Sequence, residues 1–348
     1  MNINSQRTQL IERLFPAGIP ALWCPPLTHY DERGEIDADR IRAHLRHLAP
    51  SARGLLVPGS TGDGWYLSPA ERRRVLEIVL EQAQKLELFV LIGALQARTE
   101  EAIAVIREDV AWLRQRSGDA DPATALKKSR VCGFTVCPPR GQDRSQAEIR
   151  DGLAAVLELQ LPTALYQLPQ MTQNEMSPEV AAELAGRFPN FIFFKDSSGA
   201  DRVVLSGKDL RGVFATRGGE GDYDRWLKPA GGPYDGFLLG SANCFAREHA
   251  QVIREVASGN MEAARQLAAR VTVVVRQVAQ WVRNAAGANA FAQANKAIDH
   301  FFAHGHRAAS VPVPRLHNGN RVSAEIVKAT GELLTSQGLM PSRGYLNE

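Results

Sequence analysis

Three observations predict an α/β chain of parallel βαβ units that closes as a (β/α)8 TIM barrel with a C-terminal helical extension. Eight short β-rich runs alternate with longer stretches at helical spacing. The run Phe191-Ile192-Phe193-Phe194 is apolar without alternation, as a strand covered on both faces should be. After residue 244 the strand-like runs stop and helical spacing alone continues. The expected division is a barrel over 1–244 and a helical extension over 245–348 packed on it.

The elements follow in order. The strand candidates are Ile19–Cys24, Gly54–Pro58, Leu88–Ile92, Val131–Cys137, Thr163–Leu168, Phe191–Lys195, Val213–Thr216 and Gly236–Leu239. Between the early ones lie Ile41, Leu45 and Leu48, then Val75, Leu76, Val79, Leu80 and Ala83, then Ile103, Ile106, Val110 and Leu113. Each set falls on one helical face. Ser68-Pro69-Ala70-Glu71 and Ser177-Pro178-Glu179 each place a capping hydroxyl before a proline at the first helical position. Residues Ser117–Arg130 read as an irregular, polar surface insertion. Late helices are expected over Glu248–Ala257, Met261–Ala286, Ala290–Phe302 and Ser323–Ser336, interrupted by Val311-Pro312-Val313-Pro314.

The totals narrow the function classes. With 348 residues, 44% hydrophobic and 23% charged, the chain has ordinary globular composition and length for a large core. A net charge of +3, from 41 basic and 38 acidic residues, gives no case for nucleic acid or a membrane surface as partner. The cysteines Cys24, Cys132, Cys137 and Cys244 form no C-x-x-C pair, so neither a disulfide framework nor a zinc site is expected. Arg7, Glu12 and Arg13 interrupt the first residues, and no apolar run approaches the ~18 residues of a spanning helix. A cytoplasmic protein without metal or cofactor is the expectation. His44 and His47 share a helix without a third ligand and read as surface residues. His300, His304 and His306 precede a loop and lack partners. Lys296 reads as a structural helix residue.

In a parallel barrel the chemistry gathers at strand C-termini. The sixth run ends in Lys195-Asp196-Ser197-Ser198-Gly199. A lysine in apolar walls is poorly solvated, so its neutral amine becomes available as a nucleophile. This stretch alone favours the plainer reading, a snorkelling lysine paired with Asp196. The second run is followed by Gly59-Ser60-Thr61-Gly62-Asp63-Gly64, a nest suited to a carboxylate or phosphate, although a plain turn fits too. The fifth is followed by Tyr166-Gln167-Leu168-Pro169, the seventh by Gly218-Gly219-Glu220-Gly221, and the eighth by Gly240-Ser241-Ala242-Asn243.

Taken together and in order, these motifs resemble the dihydrodipicolinate synthase / N-acetylneuraminate lyase family of class I aldolases and lyases. The likeness runs from about Gly18 to about Leu316. Ile36-Asp37 and the Gly59–Gly64 loop with Leu67-Ser68-Pro69-Ala70-Glu71-Arg72 look like one family segment. Tyr166–Pro169 is similar to the Y-N-x-P motif, and Phe194–Gly199 to the Schiff-base lysine motif. The resemblance implies that Lys195 attacks the ketone of a 2-oxo acid such as pyruvate, and that Tyr166 shuttles protons. Ser60 and Thr61 hold the substrate carboxylate, Thr61 also orienting Tyr166. Leu238 packs near the imine and Gly219 lines the floor. It implies a homo-oligomer, dimer or tetramer, and an aldehyde as candidate second substrate.

The departures bear on the substrate. Synthases that condense pyruvate with aspartate semialdehyde carry an arginine where this chain has Met171. The tyrosine that a neighbouring subunit lends to the proton relay is replaced in Pro138-Pro139-Arg140. Arg140 is therefore a candidate for an anionic substrate end. The residues leave three readings open: an aldolase, a sugar-acid dehydratase of the same family, and a non-catalytic 2-oxo-acid binder.

Overall fold

The computed structural model describes residues 2–283 and 289–347. Eight strands close into a barrel in chain order: β1 (Leu22–Cys24), β2 (Gly54–Val57), β3 (Phe89–Gly93), β4 (Val131–Val136), β5 (Thr163–Gln167), β6 (Phe191–Asp196), β7 (Phe214–Arg217) and β8 (Gly236–Leu238). The pairings β3–β4, β4–β5, β5–β6, β6–β7 and β7–β8 are all parallel, as is β1–β2. Parallel neighbours cannot be joined by a tight turn and need a crossover. The expected runs all become strands. The first starts three residues late, at Leu22, and the sixth ends one residue later, at Asp196.

The helices in chain order are α1 (Ile3–Leu14), α2 (Ala38–Leu48), α3 (Pro69–Leu86), α4 (Thr99–Ser117), α5 (Pro122–Lys128), α6 (Gln146–Leu157), α7 (Pro169–Thr172), α8 (Pro178–Arg187), α9 (Arg202–Leu205), α10 (Ala242–Ala257), α11 (Met261–Arg283), α12 (Ala290–His304) and α13 (Ala324–Ser336). The expected run of α11 to Ala286 extends beyond the described residues. Among the described residues no helix is long and apolar enough to cross a membrane, and the four cysteines are free and buried.

By internal packing the chain forms two compact units. One comprises Met1–Ala21, Phe89–Gly219 and Pro233–Leu238; the other comprises Leu22–Leu88, Glu220–Gly232 and Leu239–Glu348. In the first, Phe134, Phe191, Phe193, Phe194 and Phe237 are fully buried. Arg7 of α1 is buried with them. It donates to the carbonyls of Ala185 and Phe188 at the end of α8 at 2.6 and 2.8 Å, to Phe191 O at 2.8 Å, and to Arg211 O. A cation at a helix C-terminus meets carbonyls that have no partner within the helix. In the second unit, Trp23 of β1 lies over Gly54. A Cβ at Gly54 would come within 2.1 Å of the indole, so the ring's seat requires glycine there.

Two local expectations are corrected. The stretch Ser117–Arg130 is not irregular. α4 runs to Ser117, and Pro122–Lys128 forms α5, with Asp121 accepting from Thr124 N at 2.8 Å and Ala125 and Leu126 buried. Asp121-Pro122 is the same cap-and-proline signal as Ser68-Pro69. His44 is not a surface residue either. It is 1% exposed, because position 44 precedes Leu45 and follows Ile41 by three on the inner stripe of α2, whereas His47 is exposed.

Candidate active site

In the first unit, β6 carries Lys195 at its C-terminal end, and the side chain is only 4% exposed. Lys195 stands in register with Tyr166 of β5, and its Nζ lies 4.1 Å from the centre of the tyrosine ring. An amine so close to a π face is attracted by the ring's negative face when it is protonated. The snorkelling alternative fails on burial. Successive strand residues face opposite sides of a sheet, and the Asp196 carboxylate accepts from Ser198 N at 2.8 Å. Burial raises the Asp196 carboxyl to about 6, and its Oδ2 has no partner among the described residues.

Gly218, a residue that sequence reasoning did not single out, completes the lysine's surroundings. A Cβ at that position would lie 2.9 Å from Lys195 Cε and 2.0 Å from Ser197 Oγ. Gly219 is set differently: a Cβ there would meet the Arg217 guanidinium at 3.1 Å. Arg217 forks onto Asp201 with two 3.1 Å bonds and reaches Gly219 O at 2.8 Å, while Tyr234 OH donates to Asp201 at 2.6 Å. This buried network anchors the Gly218-Gly219 turn after β7. Cys137, just past the end of β4, is buried; desolvation pushes its thiol up, and the Lys195 charge opposes that shift. Leu238 is buried within β8, and Arg140 is exposed, with its backbone N–H on Ala97 O at 2.8 Å.

In the second unit, the Gly59–Gly64 loop follows β2. It folds back on itself, the N–H groups of Gly62 and Gly64 both donating to Gly59 O at 3.0 and 2.9 Å. A Cβ at Gly62 would come within 2.4 Å of Pro26 O, so the turn cannot form with a larger residue there. Ser60 and Thr61 are 4% and 6% exposed, and Trp65 Nε1 donates to Ser60 Oγ at 3.0 Å. Thr28 Oγ1 donates to Gly62 O at 2.8 Å, and Tyr30 OH to Asp63 at 3.1 Å.

Past β8, Ser241 joins a second polar cluster. The Glu220 carboxylate accepts from Ser241 N at 3.0 Å, Ser241 Oγ at 2.6 Å and Tyr223 OH at 2.7 Å. Ser241 Oγ also lies 2.8 Å from His249 Nε2, and burial pushes that imidazole down to about 3, so it is neutral. A Cβ at Gly240 would meet Thr61 Oγ1 at 3.0 Å and Glu220 Oε1 at 3.5 Å, so the glycine allows these groups to approach. His249 and Tyr223 carried no sequence signal, each being a single residue among charged neighbours with no motif around it.

His44 belongs to a third cluster. His29 Nε2, His44 and the Asp299 carboxylate offer ligand atoms within 4.8 Å of one another. The set does not suit a cation. His44 uses Nδ1 on His29 at 3.0 Å and Nε2 on Asn243 O at 2.8 Å, and Arg40 and Tyr345 already occupy Asp299, both at 3.0 Å. His300 is buried and bonds Ala308 O at 2.8 Å, and His304 meets its ring edge-on at 5.1 Å. The expectation that these two lack partners is thus corrected.

Comparison with known proteins agrees with the barrel. The model of the Dihydrodipicolinate synthetase family matches residues 20–111 and 121–294. A 4-hydroxy-tetrahydrodipicolinate synthase of Agrobacterium fabrum is 31% identical over 204 residues, which cover 57% of this chain and 62% of that protein. One from Methanospirillum hungatei is 25% identical over 259 residues, 73% of this chain and 80% of the relative. A prophage protein of the dihydrodipicolinic acid synthase family from E. coli K12, solved in complex with pyruvate, has the same fold. Its TM-score is 0.69 at 18% identity, over 92% of this chain and all of that one. The family match spans most of the barrel and part of the helices beyond it, and the chain therefore belongs to the dihydrodipicolinate synthetase family, whose members are class I lyases and aldolases that work through a lysine Schiff base.

Proposed function

We propose that the protein is a Schiff-base lyase or aldolase acting on a 2-oxo acid, with Lys195 as nucleophile. The observation that carries this reading is the Lys195 amine, buried at the end of β6 and 4.1 Å from the Tyr166 ring. The neutral amine attacks the ketone carbon, and its electron pair forms the C–N bond as the carbonyl oxygen takes a proton. Loss of that oxygen as water gives a protonated imine. The Tyr166 hydroxyl carries the protons in both steps. The imine accepts the electron pair of an adjacent C–C or C–H bond, so cleavage or deprotonation there leaves an enamine. The Gly59–Gly64 loop, with Ser60 and Thr61, is assigned the substrate carboxylate. Leu238 is assigned to the apolar wall near the imine. The relative solved with pyruvate supports this substrate class.

The protein is proposed not to be a dihydrodipicolinate synthase in the strict sense, although curated relatives carry the name 4-hydroxy-tetrahydrodipicolinate synthase. Met171 stands where those enzymes bind a second carboxylate, and it lies half-buried on α7. A methionine offers no cation to a second carboxylate, which suits a hydroxylated second end better than an anionic one. A hydroxylated substrate is also what a sugar-acid dehydratase takes, so that reading stays alongside the aldolase. Arg140, being exposed, is a weaker candidate for an anionic substrate end than its sequence position suggests.

Borohydride reduction with pyruvate followed by peptide mass spectrometry tests the proposal. A reduced pyruvyl adduct on Lys195 is expected. Pyruvate release from hydroxylated 2-oxo acids marks the aldolase, and water loss without cleavage the dehydratase. A pyruvate-induced thermal shift with no adduct and no turnover would leave a 2-oxo-acid binder and overturn the enzyme.

A further inference from the structure

We propose that the N-terminal half of α12 and its cap set the anion-holding loop, with Asn289 and Lys296 as positioning residues for Ser60 and Thr61. This inference rests on the reading that the Gly59–Gly64 loop receives the carboxylate of a 2-oxo acid.

The loop contains a difficulty that the helix resolves. Asp63 is a carboxylate inside a segment meant to hold a carboxylate, and at φ 63° it occupies the left-handed region that a side chain disfavours. It is also 1% exposed, so water does not screen it. Left alone, Asp63 would repel the substrate and relax its backbone. Three groups hold it. Tyr30 OH donates to Oδ2 at 3.1 Å, Asn289 Nδ2 donates to Oδ1 at 2.9 Å, and Lys296 Nζ stands 3.9 Å from Oδ2. Lys296 is equally buried, lies 4.3 Å from the centre of the Tyr30 ring and donates to Arg315 O at 2.9 Å. Burial pushes its amine down to about 8 while the Asp63 charge pulls it back up, so each charge supports the other.

Asn289 also acts on the loop backbone directly. The same Nδ2 donates to Ser60 O at 2.7 Å, and its Oδ1 accepts from Phe291 N and Ala292 N at 3.2 and 3.4 Å. The amide therefore has one orientation, because turning it over would face oxygen to two acceptors. With Ser60 O on Asn289, Gly62 O on Thr28 and Gly59 O within the turn, the loop carbonyls are tied inside the unit. Their direction fixes that of the Ser60 and Thr61 peptide groups.

The test uses deuterium exchange at the pyruvate methyl group in D2O, which reports enamine formation without a second substrate. Asn289→Ser keeps the helix cap and removes the amide donor. Lys296→Met keeps the length and removes the charge. Each should raise the pyruvate KM about tenfold with kcat within about twofold. Adding Asp63→Asn to Lys296→Met should recover most of the lost affinity, since no buried charge is then left uncompensated. Unchanged KM in a folded Asn289→Ser protein overturns the proposal. So does a fall in kcat at constant KM, or a double variant no better than Lys296→Met. If Lys296→Met does not fold, Asn289→Ser and the double variant decide. A wild-type protein that traps no adduct and exchanges no deuterium sinks the functional reading first, and is seen before any variant is made.

Discussion

The Lys195 strand end and the Gly59–Gly64 loop reach order by opposite routes. Lys195 and Tyr166 sit on neighbouring strands whose ladder puts them in register, and the barrel's own hydrogen bonds place them. The loop has no ladder. It closes on one carbonyl, carries a left-handed aspartate, and is held by residues far away in the chain, Tyr30 on one side and Asn289 and Lys296 on the other. A group mounted on a strand keeps its place when neighbours change, and a group mounted on a loop keeps it only while its ties hold. Chemical loss is therefore expected from changes at the strand end, and loss of affinity from changes around the loop.

The largest expected effect is at Lys195. Lys195→Ala should abolish the borohydride adduct and slow methyl exchange by about a thousandfold or more. Retained exchange would break the contrast, because the strand end would then carry no chemistry. Next comes the tie that the strand side does possess. Arg217→Met leaves Asp201 buried without its cation, and urea unfolding should register a loss of about 3–5 kcal/mol. A loss under about 1 kcal/mol would mean that the Gly218-Gly219 turn does not depend on it. Tyr166→Phe keeps the ring beside the amine and removes the hydroxyl, so exchange should slow by about a hundredfold with pyruvate affinity kept. A change in affinity alone would assign Tyr166 to binding.

The smallest effect concerns Asp196, whose carboxyl is raised from the ordinary 3.8 to about 6 by burial. A raised acid costs the folded state nothing below its unfolded value and an increasing amount as pH climbs to the folded one. Asp196→Asn removes that cost while keeping an acceptor for Ser198 N. Relative to wild type, the variant should gain on the order of 2–3 kcal/mol between about pH 4 and pH 6 and stay level above. A difference that is flat across this window would show that Asp196 ionises without penalty.

Legibility followed local pattern. The eight strands could be read because each is a short apolar run ended by glycine, proline or a polar residue. Lys195 and Tyr166 could be read because they stand where such runs end. α5 was also legible in Asp121-Pro122, but seven residues in polar surroundings mask the signal. His44 looked exposed because its type outweighed its place between Ile41 and Leu45 on the inner stripe. Gly218 was passed over for Gly219, since adjacent glycines are equivalent until the chain's direction after β7 is known. Arg7 gave no sign at all. Its partners are backbone carbonyls nearly two hundred residues away, and carbonyls have no sequence.

The sequence by itself determined the barrel, the order of its strands and which residues end them, because hydrophobic period and turn chemistry act over a few residues. It also determined the family, through motifs that fall at those ends. Tertiary structure decided what surrounds each motif residue: the tyrosine ring beside Lys195, the forked arginine behind Gly219, and the Asn289 amide and Lys296 ammonium that hold Asp63. A buried charge is tolerable only next to a partner, and the partner is chosen by proximity in space, which the fold alone creates.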